Sequence, residues 1–61
     1  MTIYYNKIHQ REAHVISSDV GYFVPLYENN MLVFNKGFFY EFPLSYVEQY
    51  AYDFVRKKIL G

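Results

Sequence analysis

The spacing of apolar residues changes once along this chain. As far as Phe42 they come in short runs or alternate with polar residues, the period of strands; after Pro43 they recur three and four positions apart, the period of a helix. Thr2–Asn6 (TIYYN) is rich in strand formers and predicts a short edge strand. Lys7–His14 (KIHQREAH) is undecided between helix and strand. Ile8, Glu12, Val15 and Ile16 fall near helical spacing, but Glu12 breaks the stripe, and Ala13–Ser17 (AHVIS) reads better as a strand. Ser17–Gly21 is a turn by composition. Tyr22–Tyr27 is a strand containing Pro25, which lacks an N–H for the ladder, so the spacing predicts an edge strand or a bulge there.

Glu28–Asn30 predicts a short reversal, because Asn tolerates the left-handed region. Met31–Phe34 (MLVF) is the next strand. Asn35–Gly37 predicts a three-residue hairpin loop with Gly37 left-handed. Phe38–Phe42 (FFYEF) then returns antiparallel, with Phe38, Tyr40 and Phe42 on one face and Phe39 and Glu41 on the other. Pro43 ends that strand. Ser45 and Glu48 have capping-box spacing, predicting a helix to about Leu60 that buries Val47, Tyr50, Ala51, Phe54 and Val55 and turns Gln49, Asp53, Arg56 and Lys57 outward. Arg56–Lys58 would complement the negative end of its dipole, and Gly61 would terminate it. The predicted fold is α+β, a small antiparallel sheet of three to four strands packed against one C-terminal helix, as a single domain over residues 1–61. Phe38, Tyr40 and Phe42 are expected to meet Tyr50 and Phe54 in its core.

Composition adds a constraint on size. A 61-residue chain buries only about 60% of its unfolded surface, and domains of this size draw on disulfides, metals or another subunit. There is no Cys, which removes disulfides and thiolate metal sites. Instead Phe and Tyr make up 23% of the residues, and each ring takes about 150–250 Å² out of water when buried. Fourteen rings are more than one layer between a helix and a small sheet can cover, so some are expected at an interface. The balance of six cations against six acids disfavours a nonspecific nucleic-acid binder, which needs unopposed cations, and weakens self-repulsion between copies. No apolar run approaches the ~20 residues of a membrane span, and the N-terminus has no signal-peptide core. The expected location is cytoplasmic.

Three groups of residues carry candidate chemistry. His9 and His14 stand five apart. A helical zinc motif needs two histidines on one face, and on a strand an odd separation puts them on opposite faces, so they read as two solvated histidines. Ser17, Ser18 and Asp19 contain the atoms of a nucleophile set, but nothing in the pattern builds a cleft around them, and they read as a turn. Arg56, Lys57 and Lys58, together with exposed Tyr rings, are a candidate single-strand platform for nucleic acid; as a helix end they need no ligand. No cofactor, metal site or enzymatic activity is expected.

The stretch Ser17–Tyr46 resembles the KTSC domain. Gly21–Tyr22 match that family's Gly-Tyr pair, Leu32 and Phe34 precede Gly37 as its hairpin requires, and Tyr40 fits the first of its two Tyr positions. Phe42 replaces the second, Pro43 follows without the usual spacer, and the later Ser-Lys-Gly and Phe-Asn elements are missing. The resemblance covers about half the chain and implies a sheet-plus-helix fold and no particular activity.

The expected function is therefore a non-catalytic protein-binding module. Its aromatic patch would engage a protein partner or a second copy as a homodimer, in the manner of phage or mobile-element proteins that inhibit a host enzyme. Phe39, Tyr46 and Tyr52 are the expected contact residues, with Tyr4 and Tyr5 second. The alternative is a small nucleic-acid-binding domain using exposed Tyr and Arg56–Lys58.

Overall fold

In the computed structural model, which describes residues 1–61, four strands precede one helix: β1 (Thr2–Asn6), β2 (Arg11–Ser17), β3 (Gly21–Glu28), β4 (Met31–Phe39) and α1 (Leu44–Val55). The strands form one antiparallel sheet in chain order, β1-β2-β3-β4, and α1 packs on one face of it; the fold is α+β. No helix is long and apolar enough to cross a membrane. The undecided segment Lys7–His14 divides: Lys7–Gln10 is the β1–β2 turn, closed by Gln10 at φ 56°, and β2 begins at Arg11.

Two consecutive asparagines decide where the second half of the sheet reverses. Asn29 and Asn30 have φ of 54° and 66°, the paired left-handed conformation of a type I′ two-residue turn, whose twist matches that of the flanking strands. The reversal predicted at Glu28–Asn30 is present, and it removes the need for another. β4 runs unbroken through Asn35–Gly37 and pairs with β3 from Glu28↔Met31 to Gly21↔Phe39. The predicted hairpin at Asn35–Gly37, on which the KTSC resemblance drew, is therefore absent. Gly37 has no positive φ and lies opposite Phe23 in mid-ladder. A turn at Asn35–Gly37 would have left Gly21–Pro25 of β3 without these ladder partners. The return strand Phe38–Phe42 is likewise not formed: β4 stops at Phe39, and the Phe42 N–H donates to the Phe39 carbonyl at 3.0 Å, turning the chain toward α1.

Pro25 lies in a central strand, not at an edge. Its cost shows in the ladder. Pairing of β2 with β3 skips from Ala13↔Leu26 to Ile16↔Phe23, omitting Val24 and Pro25, and Pro25 has no N–H to contribute. Beside it, at Leu26/Tyr27, the β3–β4 register shifts and Val33 becomes the extra residue of a bulge.

The helix begins one residue before the predicted cap. Pro43 is the N-cap, with no side-chain hydrogen bond, and its carbonyl accepts from the N–H groups of Tyr46 and Val47 at 3.0 and 3.3 Å. Ser45 is thereby inside the first turn, and the Ser45–Glu48 capping box does not form. The helix also ends earlier than predicted, at Val55. Lys57 takes φ 64°, its N–H donates to the Phe54 carbonyl at 3.0 Å, and the Lys58 N–H reaches back to the Asp53 carbonyl at 2.8 Å. That pair of bonds is a Schellman motif, built with lysine where glycine is usual. Lys57 and Lys58 are accordingly outside the helix, and Gly61 does not terminate it.

The predicted helix stripe is buried: Val47, Ala51, Phe54 and Val55 pack on Ala13, Val15, Val24, Leu26 and Phe38, with Tyr50 at the margin. Phe38 and Phe54 are the two buried rings of fourteen. Phe38 meets Tyr50 edge-on at 5.2 Å as expected, but Tyr40 turns away to pack on Tyr22 at 5.1 Å, and Phe42 stays partly exposed beside Phe38. Aliphatic side chains and two phenylalanines fill the core, and the remaining rings lie outside it.

A candidate protein-binding surface

The helix lies over β2, with lesser contact to β1 and β3. It reaches β4 through Phe38, whose ring meets Tyr46 and Tyr50 near the end of that strand. The first half of β4 has no cover. Met31, Leu32, Val33 and Phe34 are 70%, 57%, 52% and 51% exposed, four consecutive apolar residues on an edge strand whose outer row of N–H and C=O groups is unpaired. Natural proteins blunt such edges with charge or proline; here the one charge on β4 is Lys36, and its ammonium sits 5.6 Å over the ring of Phe38.

The sheet face away from the helix is also bare. Strand alternation and register place Ile3 and Tyr5 of β1, Ile16 of β2, Phe23, Pro25 and Tyr27 of β3, and Leu32 and Phe39 of β4 on it. An antiparallel sheet with one solvated face ordinarily alternates apolar-in with polar-out. Here the bare face is apolar as well, apart from Asn35 and the paired Glu12 and His14, whose side chains contact each other. At the Phe39 end a depression opens between Phe23 and Phe39, with Gly21 and Gly37 in its wall. A Cβ on Gly37 would meet nothing, whereas one on Gly21 would lie 1.9 Å from the Phe38 carbonyl oxygen.

The five expected contact residues are exposed to differing degrees and do not form one patch. Phe39, at 67% exposed, and Tyr5 share the bare face but lie on opposite edge strands. Tyr46 stands at the start of the helix, its ring stacked on Phe42 at 5.2 Å. Tyr52 and Tyr4 form a separate pair 6.4 Å apart, where α1 crosses β1. Burial and the nearby Glu48 carboxylate push the Tyr4 hydroxyl above its ordinary pKa, and burial, with Tyr46 close by, does the same at Tyr50. The residues that composition alone did not single out are Met31, Leu32, Val33, Phe34 and Phe23. An MLVF run was legible, but its position at an uncovered edge was not.

The Arg56–Lys58 cluster is partly committed to the fold. Arg56 pairs with Asp53 at 3.0 Å and lies 4.2 Å over the Tyr52 ring, and the Asp53 carboxyl is held below its ordinary pKa by hydrogen bonds from Arg56 and Gln49. Arg11, which no pattern marked, is the most engaged cation. It is 3% exposed, donates to Glu28 at 2.9 Å and to the carbonyls of Phe54, Ile59 and Leu60, and lies 4.5 Å over the Phe54 ring. It thus ties the end of the helix and the C-terminal tail to the sheet. His9 and His14 lie in a turn and on the bare face respectively, and no three His, Asp or Glu side chains converge as a metal site. Ser17–Asp19 is turn and strand end; the Ser18 hydroxyl donates to the Gly21 carbonyl at 3.0 Å.

No protein-family model, no curated protein and no solved structure matches this chain. The functional reading rests on the surface itself.

Proposed function

We propose that the chain is a small non-catalytic protein-binding module, and that its contact surface is the β4 edge with the adjoining bare face of the sheet. The observation that carries this reading is the Met31–Phe34 run, four apolar residues in succession, each more than half exposed, on an unpaired strand. Single exposed apolar residues are ordinary, but a contiguous patch of this kind marks an interaction site. A host-enzyme target, of the kind expected for a phage or mobile-element inhibitor, fits this surface chemistry, as does a second copy. Phe39 belongs to the surface through the bare face; Tyr46, Tyr52 and Tyr4 lie on the helix side and are peripheral to it.

Tagged protein incubated with extract of its own cell, supplemented with untagged chain, tests the reading. A discrete protein, its own copy or a larger one, is expected to be retained. Retention should fall with Leu32→Lys and with Phe39→Ala, and persist with Lys58→Ala. Recovery should change little between about 50 and 200 mM salt, the range over which phosphate-driven binding loses several orders of magnitude. Retention of nothing above the Leu32→Lys background overturns the proposal. Capture of nucleic acid that collapses with salt and with Lys58→Ala would favour the Arg56–Lys58 alternative.

A further inference from the structure

We infer that the occupant of the β4 edge is a second copy of the chain, the two β4 strands pairing antiparallel across a two-fold axis normal to the sheet to give one eight-stranded sheet. This rests on the protein-binding reading above and names its partner.

Charge is the first argument. An antiparallel self-pair in which opposite residues share a face must centre on a residue. Centring on Asn35, the middle of β4, uses the whole strand and sets Lys36 opposite Phe34 of the other copy, whereas centring on Gly37 would leave Met31–Val33 beyond the end of the facing strand. Lys36 already rests over a Phe38 ring, a favourable cation–ring contact. Only a pair centred on Lys36 itself would oppose like charges, which is destabilising. With a net charge of zero, long-range repulsion between copies is also weak.

Geometry is the second. The helix is offset toward β1, so two copies meeting at β4 keep their helices apart. Met31, Phe34 and Phe38 of each lie on the helix side of the joint, where a shared apolar strip would form between the two helices. The pair closes on itself. Each copy spends its one long edge, and the remaining edge, β1, has five residues against nine in β4. An isologous contact of this sort yields a dimer, not a fibre.

Area is the third, and it sets the strength. Met31, Leu32, Val33, Phe34 and Phe39, each more than half exposed, supply on the order of 500 Å² at roughly 100 Å² apiece. Neighbouring backbone and Phe42 add to this, against the ~800 Å² per partner of a stable interface. The dimer is therefore expected to dissociate in the micromolar range.

Sedimentation velocity from low micromolar to submillimolar concentration is the test. The wild-type chain should pass from monomer to dimer, and the β4 amides that face outward should gain protection from hydrogen exchange over the same range. Phe34→Lys and Met31→Lys, at positions more than half exposed, should each weaken the dimer about tenfold or more while leaving the melting temperature of the monomer unchanged. Tyr5→Lys, on the far edge, should leave the dimer intact. A chain monomeric throughout overturns the inference, and if it still captures another protein the binding-module reading survives alone. A dimer lost with Tyr5→Lys and indifferent to both β4 variants also overturns it, since the copies would then be joined through the bare face.

Discussion

Arg11 is the residue on which most of the tertiary structure converges. One guanidinium joins β2 to Glu28 of β3, to the last turn of α1 through Phe54, and to the tail through Ile59 and Leu60. Three of its four acceptors are backbone carbonyls, one in the last turn of the helix and two in the tail beyond it. None of this was legible in the sequence. Its carbonyl acceptors lie 43 to 49 residues away, and a carbonyl carries no sequence signature. Truncating Arg11 leaves the Ile59 and Leu60 carbonyls without this donor, a loss of about 1–3 kcal/mol. A domain of this length has only ~3–9 kcal/mol of stability in all, so Arg11→Ala should lower the urea midpoint by a large fraction. The pairing also fixes a pH response. The Arg11 hydrogen bond holds Glu28 below the ordinary glutamate pKa, so this stabilisation is complete above the unfolded pKa and disappears as pH falls through the folded one. Urea midpoints should accordingly drop on acidification below the glutamate range, with a shallower acid slope for Glu28→Gln. An equal slope in that variant would assign the acid response to other carboxylates, Asp53 first.

At the scale of elements, the sequence was informative where the signal is local and misleading where two local signals competed. The helix stripe, the edge strand at Thr2–Asn6 and the reversal at Glu28–Asn30 are readable because side-chain period and Asn chemistry act within a few residues. Asn35–Gly37 was expected to be a second turn after Glu28–Asn30, yet it stays extended, because the reversal at Asn29–Asn30 already lets β4 pair along the whole of β3. The Ser45–Glu48 box lost to Pro43, one residue upstream of the helix. Glycine roles were inverted in the same way. Gly37, the expected turn residue, is dispensable, and Gly21, read as part of a turn, is not. At Gly21 the β4 backbone approaches so closely that a Cβ would lie 2.9 Å from the Phe39 Cα as well as against the Phe38 carbonyl. Gly21→Ala should therefore cost about 2 kcal/mol or more, since backbone and not a flexible side chain must move. Gly37→Ala, in open space, should be neutral or stabilising by up to about 1 kcal/mol, through the lower entropy of the unfolded chain. Thermal unfolding of the two variants side by side decides the matter; a Gly37→Ala penalty equal to that of Gly21→Ala would mean the Asn35–Gly37 segment is not a plain strand.

For the whole molecule, the question is what fourteen rings are for. The chain exposes 4217 Å², close to the ~4,200 Å² expected of any folded monomer of its mass. The fold is not loose, and its surface is not unusually large. The distribution of side chains is what is unusual: the core is closed by small aliphatics and two phenylalanines, while Phe23, Phe34, Phe39 and Phe42 face outward. Composition showed that there were too many rings for one layer, but not which would be left over. That follows from the offset of the helix toward β1, a tertiary fact. The division can be measured. Phe38→Ala and Phe54→Ala remove buried rings and should cost about 3–5 kcal/mol each. Phe23→Ala, Phe34→Ala and Phe39→Ala, in dilute monomer, should each stay within about 0.5 kcal/mol of wild type, as surface substitutions do. If the outward rings of β4 serve association, Phe34→Ala and Phe39→Ala should lower the concentration dependence of the melting temperature, a signature of a folded state stabilised by a partner copy, while Phe23→Ala, on the central strand β3, should not. Costs at Phe34 or Phe39 comparable with that at Phe54, at a concentration where the chain is monomeric, would mean that these rings support the fold itself, and the surface would then need no partner to explain it.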